Sequence, residues 1–103
     1  MSEKPRLTSA ANRDLASIFV YFLDHDAVSA ASGFESSFEA TLQFIAMYPD
    51  LGSPTESKLP RLKNVRCKPV QDFEDYLIYY RNTSSGSLIL RVLHGSQDTE
   101  SNL

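Results

Sequence analysis

Side chains able to handle a phosphate or grip a charged partner are few here, and they fall into two groups. The stretch "YLIYYRNTSSGSLILRVLHGSQD", positions 76 to 98, ends in His94, one of two histidines, directly before Gly95. An imidazole titrates near neutrality and can pass a proton either way. With arginines to stabilise a phosphate it would support phosphodiester cleavage, which needs an activated 2′-hydroxyl and a protonated leaving oxygen. Lys58, Arg61, Lys63, Arg66 and Lys68 form the second group, and Asp72, Glu74 and Asp75 follow at once. A charge run of this kind is also what a solvated strand face and a charged turn look like.

The same residues have a plainer reading. Gln97, Asp98 and Glu100 follow His94, so a phosphate arriving there meets carboxylates and no cationic clamp. One imidazole supplies only one part of the mechanism. The expectation is therefore no catalytic residue, with Arg61, Lys63, Arg66, Lys68, Arg91 and His94 serving as a target- or partner-binding surface. His25, between Asp24 and Asp26, reads as a solvated turn residue and not a metal ligand. Cys67 is the lone cysteine, which excludes an internal disulfide and a cysteine-built metal site. Gly33, Gly52, Gly86 and Gly95 lie in separate elements and form no phosphate loop. Tyr76, Tyr79 and Tyr80 read as sheet packing before base stacking. No metal and no cofactor are expected.

The whole chain bounds what such a surface does. At 103 residues it is expected to be one domain, 1–103, with one core. Hydrophobic content of 42% and charged content of 22% fit an ordinary globular protein. Ten basic and thirteen acidic residues give a net charge of -3, unfavourable for binding nucleic acid through phosphates. "MSEKPRLTSAANRDL" contains no apolar run resembling a signal peptide, and no later run is long enough to span a membrane. A reducing cytosol is the expected compartment.

The elements that must carry these side chains follow from periodicity. A short extended piece precedes a helix capped by Thr8 or Ser9, with Leu15, Ile18, Phe19 and Phe22 along one face. Asp24, His25 and Asp26 read as a turn. A second helix starts near Ala27 with Ala31, Phe34, Phe38, Leu42, Ile45 and Tyr48 as its stripe, leaving Glu35, Glu39 and Gln43 outside. Pro49 ends it, and "PDLGSPTESKLP" reads as loop. "LKNVRCKPV" alternates, with Val65 and Cys67 on one face and Arg66 and Lys68 on the other. "YLIYYR" and "SLILRVLH" are aromatic and branched strands joined by "NTSSG", where Gly86 can take a positive φ. The result is an α+β chain in the order β-α-α-β-β-β, a helical hairpin against a mostly antiparallel sheet.

"RLTSAANRDL", "YPDLGSP", "FEDYLIYYR" and "LRVLHGSQD" together resemble the RelE/ParE superfamily of toxins, the last two being closest to the ParE branch. That resemblance implies the same β-α-α-β-β-β fold and a toxin of a type II toxin-antitoxin pair. The ParE branch implies inhibition of DNA gyrase by protein contact, and a hetero-oligomer with a ParD-like antitoxin. The RelE branch implies a ribosome-dependent mRNA endoribonuclease, here through His94 with Arg61, Arg66 or Arg91. This chain carries acidic Asp72, Glu74 and Asp75 where RelE-type nucleases commonly have an arginine, and Gln97 where both branches often have a basic residue. The expectation is a binding toxin with no nucleic-acid contact of its own. An inactive member that keeps only antitoxin binding is the third reading.

Overall fold

In the computed structural model, which describes residues 4–25 and 27–103, Thr8 is where strand becomes helix. Strand β1 (Arg6–Leu7) ends there, and Thr8 stays extended at φ -70° and ψ 165° while helix α1 (Ser9–Asp24) begins. Its hydroxyl accepts from the Ala11 amide at 3.1 Å and donates to the Leu90 carbonyl at 2.8 Å. One side chain thus caps the helix and ties it to the sheet. His25 caps the other end, and Asp26, expected in the same turn, lies outside the described residues. Helix α2 (Val28–Met47) returns antiparallel and buries Ala31, Phe34, Phe38, Thr41, Leu42 and Ile45. Tyr48, expected on that stripe, is instead the C-cap and stays 47% exposed, because the chain leaves the helix ahead of Pro49.

The sheet has the order β1-β5-β4-β3-β2. β2 is Ser53–Pro54, β3 Val65–Val70, β4 Phe73–Thr83 and β5 Gly86–His94. β1 runs parallel to β5, pairing Arg6 with Leu88 and Leu7 with Ile89, and the other pairings are antiparallel. Gly86 takes φ 113° at the β4–β5 turn, while Asn64 and Asp72 take φ 67° and 64° at either end of β3. Asparagine and aspartate enter that region more readily than other side chains. Between Tyr79 and Tyr80 the β4–β5 register shifts, and Leu90 is left without a partner.

Alternation gives the sheet two apolar faces. Val70, Ile78, Tyr80, Ile89 and Val92 pack under Phe34, Phe38, Leu42 and Ile45, forming the main core. On the far face Leu62, Val65, Tyr79 and Leu93 form a smaller cluster, joined by Leu59, Cys67, Leu77, Leu90 and Leu103. That face is covered by a 3-10 turn, Pro60–Leu62, and by a short helix α3 (Thr99–Asn102). The expected β-α-α-β-β-β plan is present. β2, the 3-10 turn and α3 are additions to it, within segments that read as loop and tail.

Candidate functional site

β5 ends at His94, whose Cα partner is Tyr76 on β4. The imidazole stands edge-on to the Tyr76 ring, centroids 5.2 Å apart and planes at 88°. The turn beyond is closed twice over. The Gly95 amide donates to the Asp75 carbonyl at 2.7 Å, and the Gln97 amide to the His94 carbonyl at 2.9 Å. Gln97 Oε1 accepts from the His94 amide at 2.8 Å. The Ser96 amide donates to His94 Nδ1 at 3.1 Å, with Ser96 Oγ 2.8 Å from the same nitrogen. A backbone amide only donates, so Nδ1 is an acceptor and the neutral ring holds its proton on Nε2.

The surroundings decide what this imidazole can do. It lines an open depression of about 390 Å³ with Tyr21, Phe22, Phe73 and Tyr76 and the acidic Asp72, Glu74 and Asp75. Among the described residues no lysine or arginine lines it. Developing negative charge on a phosphate would meet three carboxylates, the reverse of what such a transition state needs.

The basic run does not form one surface. Arg66 and Lys68 share the helix-side face with Val70, while Val65 and Cys67 face the far side. The Arg66 guanidinium donates to the carbonyls of Asp50 and Gly52 at 3.0 and 2.8 Å, fixing the loop after α2. The Lys68 ammonium lies 4.8 Å from the Phe44 ring centroid. Arg61, on the 3-10 turn, donates to the Glu100 carbonyl on α3, and its own carbonyl accepts from Arg81 at 2.8 Å. Lys63 is exposed at the end of that turn. Arg61 with Lys63, Arg66 with Lys68, and His94 therefore occupy three separate places.

Arg91 has a different kind of position. Its Nε and Nη2 donate to the two carboxylate oxygens of Asp14 at 2.7 and 2.8 Å, and its Nη1 to the Asn102 carbonyl at 2.7 Å. Asp14 also accepts from the Val92 amide at 2.9 Å. Their side chains keep 25% and 14% exposure, so the fork is largely shielded from solvent. The Asp14 hydrogen bonds raise the Arg91 pKa above its ordinary value, against the opposing effect of burial. Arg91 thereby joins α1, β5 and α3. Asp14 was not legible as a partner, since 77 residues separate the pair and nothing local marks it.

Two further hollows flank the sheet and the helices. On the far face Cys67, Tyr79, Thr99, Glu56 and Asp98 line an open hollow of about 510 Å³. The Tyr79 hydroxyl lies 3.0 Å from Thr99 Oγ1, and burial raises the pKa of both Tyr79 and the Cys67 thiol. Between the helices, Leu15, Phe19, Phe38 and Leu42 floor an apolar groove of about 360 Å³, with a Lys4–Glu39 ion pair of 2.8 Å at its rim. Tyr80 is fully buried and Tyr79 nearly so, while Tyr76 packs on the core. His25 lies against Tyr21, centroids 4.3 Å apart. Among the described residues no group of three His, Cys, Asp or Glu side chains is placed to hold a metal ion. No described helix is long and apolar enough to cross a membrane.

Comparison with known proteins gives one family and one fold. A family model described as the ParE toxin of the type II toxin-antitoxin system parDE matches residues 6–99. Among solved structures, one titled "Chromosomal ParDE TA system from P. aeruginosa" is similar in fold, with a TM-score of 0.68 at 17% identity. The alignment covers 88% of this chain and 96% of that one. No curated protein matches the chain.

Proposed function

The chain belongs to the ParE toxin family of type II toxin-antitoxin systems, and from that membership we propose that it acts by binding a protein, with DNA gyrase as target and a ParD-like antitoxin as neutralising partner. One observation carries the binding reading over the nuclease reading. The His94 imidazole looks into a depression rimmed by Asp72, Glu74 and Asp75, and no lysine or arginine among the described residues lines it. The arginines that a nuclease would recruit have other attachments: Arg91 to Asp14, Arg66 to loop carbonyls, Arg61 to the carbonyl of Glu100. Arg61 and Lys63 remain exposed for a protein target, and arginines often dominate such interfaces.

The antitoxin reading rests on the apolar groove between α1 and α2. Its floor of Leu15, Phe19, Phe38 and Leu42 suits the apolar side chains of a segment that orders as it binds. A complex of this kind melts above the free toxin.

The deciding experiment runs DNA supercoiling by gyrase and mRNA integrity side by side on the toxin produced alone. We expect supercoiling to fall, message to stay intact, and His94→Ala to arrest growth as the parent does. Intact supercoiling with ribosome-dependent cleavage, lost in His94→Ala, would put the nuclease in its place. Intact supercoiling together with intact message, with antitoxin still bound, would mark an inactive member.

A further inference from the structure

The apolar groove between the helices has one acidic wall. Glu35 and Glu39 line it from α2, one helical turn apart, while the only polar residue lining it from α1 is the uncharged Asn12. Phe19 on the floor stands edge-on to Phe34, centroids 6.2 Å apart, so that end of the groove lies beside Glu35. Glu39 follows toward Leu42 at the other end.

The two carboxylates differ in one respect. Lys4 reaches Glu39 at 2.8 Å, whereas Glu35 forms no ion pair among the described residues. The Lys4 and Glu39 side chains keep 62% and 47% exposure, so their pair is weak and readily exchanged. Like charges four residues apart on a helix repel, and a cation on either relieves the repulsion. Lys4 thus shows what Glu39 accepts, and Glu35 presents the same group with no such cation on it.

We infer that the groove selects a helical segment whose apolar stripe is flanked on one side by two basic residues four apart, one meeting Glu35 and the other replacing Lys4 on Glu39. This rests on the groove as the antitoxin's seat and adds the chemistry by which that partner is recognised. A helix fits better than a strand, because both walls are helices with paired backbones and an extended segment would find no hydrogen-bond partners there. Its apolar side chains cover Leu15 and Phe19, which the fold leaves only partly buried. The one-sided charge sets how the segment lies, since basic residues turned toward α1 would meet no carboxylate in the groove. A segment with acidic flanks is turned away by Glu35.

The test uses two synthetic amphipathic helices of about 18 residues with the same leucine stripe. One is flanked by lysines at that spacing and the other by glutamates. Binding to the whole toxin is followed by fluorescence anisotropy of the labelled peptide at low and at high salt. We expect the lysine peptide to bind more tightly by about tenfold or more, with the difference shrinking as salt rises. Glu35→Lys with Glu39→Lys, both outside the core, should reverse the preference. Lys4→Ala should tighten the lysine peptide severalfold, because its competitor is gone. Asn12→Trp, at an exposed position, fills the groove without removing core packing and should abolish binding of both peptides. Equal binding of the two peptides, or a preference that the double reversal leaves unchanged, overturns the inference; if Asn12→Trp still abolishes that binding, the groove itself stands as the seat. Binding of neither peptide, or a lysine preference that survives Asn12→Trp, removes the groove reading as well.

Discussion

Gly52→Ala is expected to be among the most damaging single-atom additions this fold can receive. Gly52 is buried where the loop after α2 crosses Tyr80, itself fully buried on β4. A Cβ at position 52 would stand 2.8 Å from two ring carbons of Tyr80, and nearer still to its hydroxyl. The tyrosine cannot step aside, because its hydroxyl donates to the Pro49 carbonyl at 2.8 Å and accepts from the Gly52 amide at 3.1 Å. Forcing a methyl into a packed core costs about 1 to 3 kcal/mol. Disturbing the two hydrogen bonds adds about 1 kcal/mol each. A total of about 3 to 5 kcal/mol corresponds in a domain this small to a melting point lower by roughly 12 to 40 °C. Thermal unfolding followed by circular dichroism measures it. Tyr80→Phe provides the internal control: alone it strands the Gly52 amide at about 1 to 2 kcal/mol, and it removes the nearest obstacle to the new methyl. The double variant should then lose less than the sum of the singles by about 1 kcal/mol. Gly52→Ala melting within about 3 °C of the parent, or strict additivity, would refute the argument.

Three further outcomes follow from other contacts. Asp14→Ala should lower stability by roughly 2 to 3 kcal/mol in urea unfolding, since it strands the Arg91 guanidinium and the Val92 amide together, and partial exposure of the pair keeps the loss below that of a dry ion pair. The Cys67 thiol, with its pKa raised by burial, should react with a disulfide reagent at pH 8 more slowly than a free thiol and catch up only on unfolding. Asp98 caps α3 through the Glu100 amide and Ser101 hydroxyl, and these bonds lower its pKa. A depressed carboxylate contributes above its unfolded value of about 3.9 and loses that contribution as pH falls through the lower folded value. Amide exchange at Thr99–Asn102 should therefore gain protection above that window and lose it below, and Asp98→Ala should abolish the pH dependence.

The parts of this fold that could be read in advance are those whose order is local. The Leu15, Ile18, Phe19 and Phe22 stripe and the Phe34 to Ile45 stripe each carry a 3.6-residue period. β4 and β5 are dense in residues that fit a pleated surface. β2 is different in kind. Its two residues, a serine and a proline, have no strand character of their own and pair only because Arg66 and Cys67 are held opposite them. α3 is too short to stand alone, and its hold comes from Tyr79, Arg91 and Leu103 packing at long range. The same distinction applies to the site. The acidic run was visible as a charge pattern, but its place beside His94 was not: β4 and β5 set Tyr76 opposite His94, while Asp98 and Glu100, expected there, line the hollow on the far face. The basic run misled as a unit: of five cations close in sequence, Arg66 and Lys68 share the helix-side face of β3, while Lys58, Arg61 and Lys63 lie before it in the loop and 3-10 turn. Asp14 escaped notice altogether, for a helix aspartate and a strand arginine carry no mark of one another until the chain has folded.

The parallel pairing of Arg6 and Leu7 with Leu88 and Ile89 has a consequence in time as well as in space. A ribosome releases Arg6 and Leu7 about 80 residues before Leu88 and Ile89. Until β5 emerges, Leu7 has no strand to join, Thr8 has no Leu90 carbonyl to meet, and Asp14 has neither Arg91 nor Val92. Closing so long a segment is entropically costly, and chains dominated by distant contacts fold slowly. The hairpins β3–β4 and β4–β5 can form by themselves, so they are free to lead while the amino-terminal strand docks at the end. A newborn toxin is thus an incomplete one until β5 has been made, and only then can its sheet be completed.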